Sequence, residues 1–400
     1  MKKPLLTKLT LIIGSLLFLL VIFFAILSFV DSPTYALRVM TLFSSDINDF
    51  KVFTNRPIER PAEASRLLTN LQPMPQEITY PYKNGTKTES LDSLFNRTDT
   101  NAFIVIQDDR VIFEVYPGFS REGINTSFST AKSFDSALIG AAIADGYIGS
   151  VDDAVIEYIP ELAGRGLDTL TIRNLLRMDT GIRYRSDDEV LSPFSDDALT
   201  YYPPDLRKVA LKVQASDAAI GADFHYNNFH PLLEGMIIER ATGMSVAEYL
   251  EKRIWQPMGA EFDASWSLDS KSSGFEKMES GINARAIDYA RFGLLYLHHG
   301  NYNGQQILPE AWVLESTQPD PTDKRAFEDY SSWKESGGYY GFHWWGRVNA
   351  NGSYDFMARG HLGQIIYVCP AKDMVVVRFG SEPDEDLLWA DVIRALIENL

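Results

Sequence analysis

A serine hydroxyl attacks poorly at neutral pH unless a base stands close enough to take its proton. The stretch where the two can meet is Phe128-Ser129-Thr130-Ala131-Lys132-Ser133-Phe134, which runs into a helical-looking segment through Gly146. A helix starting here puts the Ser129 hydroxyl at its N-terminal end, where unpaired N–H groups and the helix dipole favour developing negative charge. Lys132, three residues on, falls one turn away on the same face. The spacing is S-x-x-K, and it is not unique: Ser331-Ser332-Trp333-Lys334 repeats it. Taken alone, Ser129 serves equally well as a helix cap, with Lys132 a solvated residue of the first turn.

Two further short motifs lie downstream, each with a second copy elsewhere. Tyr226-Asn227-Asn228 matches Y-x-N, as does Tyr82-Lys83-Asn84; His361-Leu362-Gly363 matches H-x-G, as does His298-His299-Gly300. Spacing does not choose between the copies, but surroundings do. Tyr226 and Asn228 precede a helix and His361 opens a strand, whereas the other copies fall in a loop and at a helix end.

These residues need elements to hold them. A chain of 400 residues with 45% hydrophobic and 12% aromatic content can bury a large core. A formal net charge of -17 argues against nucleic acid as a partner, since phosphate binding leans on clustered Lys and Arg. Cys369 is the single cysteine, so no intrachain disulfide and no Cys-based metal site can form; it sits in an apolar run and reads as a buried thiol.

Residues 1–8 carry Lys2, Lys3 and Lys8, and residues 9–30 follow without a charge. As a helix that run spans about 33 Å, enough for a hydrocarbon core of about 30 Å. It is longer than the apolar core of a cleaved signal and ends in a poor cleavage site, so an uncleaved transmembrane anchor is expected. The lysines lie in front, which predicts a cytoplasmic N-terminus and a catalytic domain exported to the periplasmic or extracellular side. Residues 31–87 read as a juxtamembrane connector, with 76–88 a loop before a short helix at 89–96.

Residues 102–107 and 111–116 form a predicted hairpin around Asp108-Asp109-Arg110, immediately before the serine helix. Helices are expected at 170–178, 205–214, 231–242, 246–254 and 284–298, and the acidic, irregular stretch 184–204 is long enough to be a binding loop. A second hairpin, 364–369 with 374–379, precedes a closing helix whose apolar face carries Val392, Ile393, Leu396 and Ile397. Strands at both ends with helices between them imply an α+β fold: an antiparallel sheet closed by sequence-distant pairing, flanked by helices, with a helical insertion.

With these motifs in order, residues 88–400 resemble the serine β-lactamase and penicillin-binding-protein superfamily, in particular its class C-like branch with carboxylesterases, D-amino-acid peptidases and 6-aminohexanoate-dimer hydrolases. The likeness extends to "TIRNLLRMDTGI" from Thr171, "LLEGMIIERATGMSVAEYL" from Leu232, "INARAIDYARFGLLYL" from Ile282 and "GHLGQIIYV" from Gly360. It implies a β-lactamase/transpeptidase-like fold and a hydrolase that cleaves an amide or ester of a small molecule or peptide through an acyl-enzyme, without metal or other cofactor.

Carried over residue by residue, the resemblance makes Ser129 the nucleophile, Lys132 its base and Tyr226 the second proton-transfer group. Asn228 would bond both substrate and Lys132, His361 and Gly363 would flank the substrate, and the amides of Ser129 and Gln364 would form the oxyanion hole. His361 departs from the K-T-G of many β-lactamases, which points away from cephalosporins. No glutamate is implied as deacylating base, and Asp179 has no implied role. A D-Ala-D-Ala carboxypeptidase or other peptidoglycan editor, or a β-lactamase, is the main alternative to an esterase or amidase; a non-catalytic envelope-binding protein is a third.

Overall fold

The computed structural model describes residues 3–381, 384 and 386–400, so the first two residues of the expected cytoplasmic tail lie outside it. Strand-forming runs from the two ends of the main domain meet. Met374–Gly380 lies antiparallel to Thr100–Gln107, with Val377 opposite Ile104 and Val375 opposite Ile106. Around this pair runs an eight-stranded sheet in the order Gly338–Tyr340, Trp345–Val348, Tyr354–Gly360, Gln364–Cys369, Met374–Gly380, Thr100–Gln107, Arg110–Val115, Leu68–Thr69. Its pairings are antiparallel except the last, where Leu68–Thr69 joins in parallel.

Both faces of the sheet are covered, and the period of two sorts the side chains between them. Ile104, Ile106, Val375 and Val377 belong to one cluster, shared with the helices Ala131–Ala144, Phe229–Thr242 and Ala286–Leu297. Phe103, Val105, Met374 and Val376 belong to the other, shared with Val392, Ile393, Leu396 and Ile397 of the closing helix Trp389–Glu398. Each such residue stabilises the fold by roughly 1.5–3 kcal/mol. A one-residue slip would exchange the two sets, so the register that aligns the site is strongly specified. Gly293 lets the helix Ala286–Leu297 press onto the sheet, because a Cβ there would stand 2.6 Å from Val375 Cγ1.

A second, four-stranded sheet follows the order Asn55–Ile58, Ala264–Ser267, Ile282–Ala284, Asn125–Thr126. Its last strand leads straight to Ser129.

The stretch expected as a connector is built into the domain. It supplies Asn55–Ile58 to the second sheet and Leu68–Thr69 to the first. Residues 76–88, expected as loop, form the hairpin Glu77–Tyr82 with Gly85–Ser90. Ile78 and Tyr80 are buried and alternate with exposed neighbours, a strand pattern that Pro81 masks in the sequence; a two-stranded ribbon tolerates the proline. A second short hairpin pairs Asn301–Tyr302 with Gln305–Gln306.

At the front, Lys3–Val30 is one helix, with mean hydropathy 3.0 in its most apolar window and no burial there. Its last turn touches the domain, where Leu27 is fully buried. Ser32 caps the next helix, Pro33–Leu42, by accepting from the Tyr35 amide at 3.2 Å. That helix is bolted down: Tyr35 Oη donates to Pro193 O, and Arg38 donates to the carbonyls of Tyr202, Pro203 and Asp269 at 2.9, 3.1 and 2.6 Å.

Candidate active site

Ser129 is held from both sides. Ser127 donates its amide to Ile282 O at 2.8 Å and its hydroxyl to Ser280 O at 2.8 Å, fixing the chain as it leaves the second sheet. Phe128 then takes φ of 42°, a left-handed conformation that costs a non-glycine residue roughly 1–2 kcal/mol. Its ring packs edge-on to His361, with centroids 5.4 Å apart. The turn Phe128–Thr130 delivers Ser129 to the start of the helix Ala131–Ala144.

Lys132 lies one turn in, only 1% exposed, with Nζ donating to Ser129 Oγ at 3.0 Å and to Glu279 O at 3.2 Å. Among the described residues no carboxylate pairs with it. The amine also sits 5.0 Å from the centroid of the Tyr226 ring. Tyr226 is itself fixed by stacking on Trp345, at 5.8 Å and 26°, and by the edge of Tyr340 at 6.4 Å. The Lys132 amine therefore lies between the Ser129 hydroxyl and the Tyr226 ring.

Ser129, Tyr226, Asn228 and His361 share the wall of a cavity of about 500 Å³, with Lys132 next to its floor. That is an ordinary size for a small-molecule site. Asn228 is placed as the motif suggests but bonded differently: its Nδ2 donates to Tyr184 Oη at 2.9 Å and Asp197 Oδ1 at 3.1 Å. Its Oδ1 is buried without a donor, so the bond to Lys132 is not made. His361 stays exposed on the wall, while protein packed around it draws its pKa below 6.5 by desolvation.

Gly363 and Gln364 do not line the cavity. Gly363 has φ of 76° after Leu362 at 60°, and this tight turn returns the chain into the strand Gln364–Cys369. The Gln364 side chain spans to Gly380, donating to its carbonyl at 2.7 Å and accepting its amide at 2.9 Å. The Gln364 amide donates to His361 O, so an oxyanion would have to share that donor. Beneath the turn Arg378 is buried, bonding Leu362 O, Thr98 O and Thr100 Oγ1 and lying over Trp389 at 4.5 Å. No sequence motif marks Arg378.

The remaining wall is acidic and aromatic: Asp187, Asp197, Glu279, Tyr201 and Tyr202 line it, with Phe43, Ser44 and Ser45. The stretch 184–204 thus borders the cavity and contains the helix Asp196–Tyr201 within it. Glu279 accepts from Lys277 at 3.1 Å and Ser280 at 2.8 Å, leaving Oε2 buried and free of donors. One turn past Lys132, Asp135 is fully buried with no donor to either oxygen, and desolvation pushes its pKa well above the usual carboxylate range. Asp179 lies elsewhere, in a buried cluster with Asn174 at 2.7 Å, Arg177 at 3.2 Å and Arg325 at 3.8 Å; it is a structural acid.

The second copies of the motifs are elsewhere too. Ser331 opens a separate short helix, Tyr82 ends a hairpin strand, and His298 pairs with Asp109 at 2.6 Å.

The fold has counterparts among known proteins. A profile of the Beta-lactamase family matches residues 96–394. A 6-aminohexanoate-dimer hydrolase of Paenarthrobacter ureafaciens is 28% identical over 331 residues, covering 78% of this chain and 82% of that protein. A Bacillus anthracis structure provisionally named 6-aminohexanoate-dimer hydrolase superposes with a TM-score of 0.73 at 23% identity, over 92% of this chain and 93% of its own. A class C beta-lactamase shares the fold with a TM-score of 0.56 at 15% identity, over 77% and 93% of the two chains.

Proposed function

The chain belongs to the beta-lactamase family and is a hydrolase of that kind, and we propose that it cleaves amide or ester bonds through an acyl-enzyme on Ser129, at the outer surface of a membrane that residues 9–30 span. The observation that carries the reaction is the 3.0 Å contact between Lys132 Nζ and Ser129 Oγ at the floor of a cavity bordered by Tyr226, Asn228 and His361. Lys132 as free amine takes the hydroxyl proton while Oγ bonds the substrate carbonyl carbon. The resulting oxyanion draws on the Ser129 and Gln364 amides; loss of one such donor typically costs about 100–1,000-fold in rate. Tyr226, against the same amine, passes the proton to the leaving nitrogen or oxygen as its bond to carbon breaks. Water then splits the ester on Ser129 by the reverse proton path and releases the acid.

The acidic wall suits uncharged or amine-bearing substrates better than carboxylates, which supports an amidase or esterase over a carboxypeptidase. The 6-aminohexanoate-dimer hydrolase relative, by its name, acts on an amide, which supports the amidase reading. For the membrane, the docking of Leu27 supports retention of the helix, since cleavage at its end would remove a buried side chain. On this reading residues 1–8 are cytoplasmic, 31–87 run from the anchor into the body of the domain and add a strand to each of its two sheets, and 88–400 carry the reacting residues.

A panel of short acyl esters, amides, a D-Ala-D-Ala peptide and a β-lactam, run on the full chain in detergent beside Ser129→Ala, tests the proposal. Ester or amide turnover with one covalent label at Ser129, both lost in Ser129→Ala, is expected. Release of D-Ala as the dominant activity, or labelling that survives Ser129→Ala, overturns it. Carbonate extraction with protease protection tests the topology, and a shortened, released form contradicts the anchor.

A further inference from the structure

Outside the N-terminal helix, the two most exposed large apolar side chains among the described residues are Phe43 at 82% and Leu191 at 79%. Single exposed apolar residues need no explanation, but these two belong to one place. Phe43, Ser44 and Ser45 are themselves part of the catalytic cavity wall, and so is Ser192, next to Leu191. The carbonyl of Pro193, two residues from Leu191, accepts the Tyr35 hydroxyl of the helix that ends beside Phe43. Leu37, 57% exposed, lies on that same helix.

Phe43 is also held in place, with φ of 60° at the helix end and its amide donating to Val39 O at 3.2 Å. Its position relative to the apolar helix is bounded. Ten helical residues rise about 15 Å, and the linking residues add at most about 3.5 Å each, so the cavity wall lies within roughly 26 Å of Val30. The junction is rigid, through Leu27, Tyr35 and Arg38, so the mouth does not drift on a slack tether.

We propose that the segment Phe43–Ser45 completes the substrate site and that the substrate is an amphiphile taken from the bilayer, an uncharged or amine-bearing acyl ester or amide whose apolar tail lies over Phe43 and Leu191. This rests on the hydrolase reading above and on residues 9–30 spanning the membrane. The carboxylates of Asp187, Asp197 and Glu279 on the cavity wall disfavour an anionic head, and the chain's net charge of -17 disfavours an anionic surface. The chemistry is unchanged: Ser129 Oγ bonds the acyl carbon, the bond to the head-group oxygen or nitrogen breaks with a proton delivered to it, and water frees the fatty acid. Of the two residues that hold the tail, Phe43 lies before residue 96, where the shared family segment begins, and Leu191 lies within that segment.

The test uses the full chain in phosphatidylcholine vesicles with two 4-nitrophenyl esters, butanoyl and dodecanoyl, and the variants Phe43→Ser and Leu191→Ser. The expected result is that the dodecanoyl-to-butanoyl ratio of kcat/KM falls at least tenfold in Phe43→Ser and severalfold in Leu191→Ser. A ratio unchanged in both variants, or butanoyl turnover with no dodecanoyl turnover, overturns the proposal and leaves the hydrolase reading standing. Failure to turn over either ester, together with no fluorophosphonate label at Ser129, overturns both.

Discussion

Replacing Lys132 by methionine separates the proposed base from its structural surroundings. Methionine has nearly the same length and no N–H, so it removes the 3.0 Å contact to Ser129 Oγ and the 3.2 Å contact to Glu279 O. A positioned base contributes about 100–10,000-fold in rate, or roughly 3–5.5 kcal/mol of barrier. The structural cost is smaller. The Glu279 carbonyl loses a donor, worth about 1–3 kcal/mol, but an amine 1% exposed and without a paired carboxylate no longer has to be buried. These oppose each other, so net stability should change by less than about 2 kcal/mol. The fluorophosphonate labelling rate of Ser129 and the melting temperature, measured on the same preparation, read the two effects separately. Labelling should slow at least a hundredfold while melting shifts by a few degrees. A labelling rate within threefold of wild type refutes the base assignment. Lys132→Arg sharpens the test, because arginine is always protonated and has no free amine to take a proton: full activity there would mean that the proton transfer does not matter.

Three further expectations follow from the surroundings of the site. Gly363→Ala would put a Cβ 2.7 Å from Arg378 Nη1 and Trp389 Cδ1 in a left-handed backbone, so thermal unfolding should reveal a loss of about 2–4 kcal/mol; unchanged melting refutes the close packing under the turn. Asp135 has its carboxyl pKa raised by burial, so the folded state holds a proton that the unfolded state releases above about pH 4, and stability should fall as pH rises toward the folded pKa. Asp135→Asn should flatten melting temperature against pH, and parallel curves would show that the carboxyl is not kept neutral. His361, lowered below 6.5, should be neutral at pH 7, so KM for a carboxylate-bearing ester should improve only below about pH 6.5. An exposed pair of about 0.2–1 kcal/mol makes that gain roughly 1.5- to 5-fold; it should be absent for a matched neutral ester and flattened in His361→Lys, and a shared response by both esters would assign His361 to packing.

How much of this is legible in the sequence depends on how local the feature is. Ser129 and Lys132 are three residues apart, one in the turn Phe128–Thr130 and the other in the first turn of the helix it opens, so their contact needs only local chain geometry. The pairing of Met374–Gly380 with Thr100–Gln107 is distant, yet both runs carry the apolar signature of a central strand and only such a partner can cover them. The hairpin at Glu77–Tyr82 is hidden because its alternation is short and interrupted by Pro81. Arg378 reads as one charge in an apolar strand; only the fold shows that three acceptors await it beneath the His361–Gly363 turn. Asn228 shows the limit of motif transfer, since its position suits the site while Tyr184 and Asp197 take the amide hydrogens.

The cavity divides along the same line. Its reactive floor is made of short motifs that lie inside the family segment, residues 96–394, where spacing and chemistry are constrained together. Part of its outer wall comes from residues 43–45, which no spacing connects to Ser129 and which reach it only because the preceding helix is fastened by Tyr35 and Arg38 to backbone carbonyls of residues 193, 202, 203 and 269. Backbone carbonyls accept hydrogen bonds whatever side chain they carry, so this attachment leaves no residue-pair signature in the loop. It does make the loop and the helix mechanically one unit. A change in Tyr35 or Arg38 should therefore alter substrate preference at a cavity neither residue lines, while leaving the Ser129–Lys132 contact, which is made within four consecutive residues, in place.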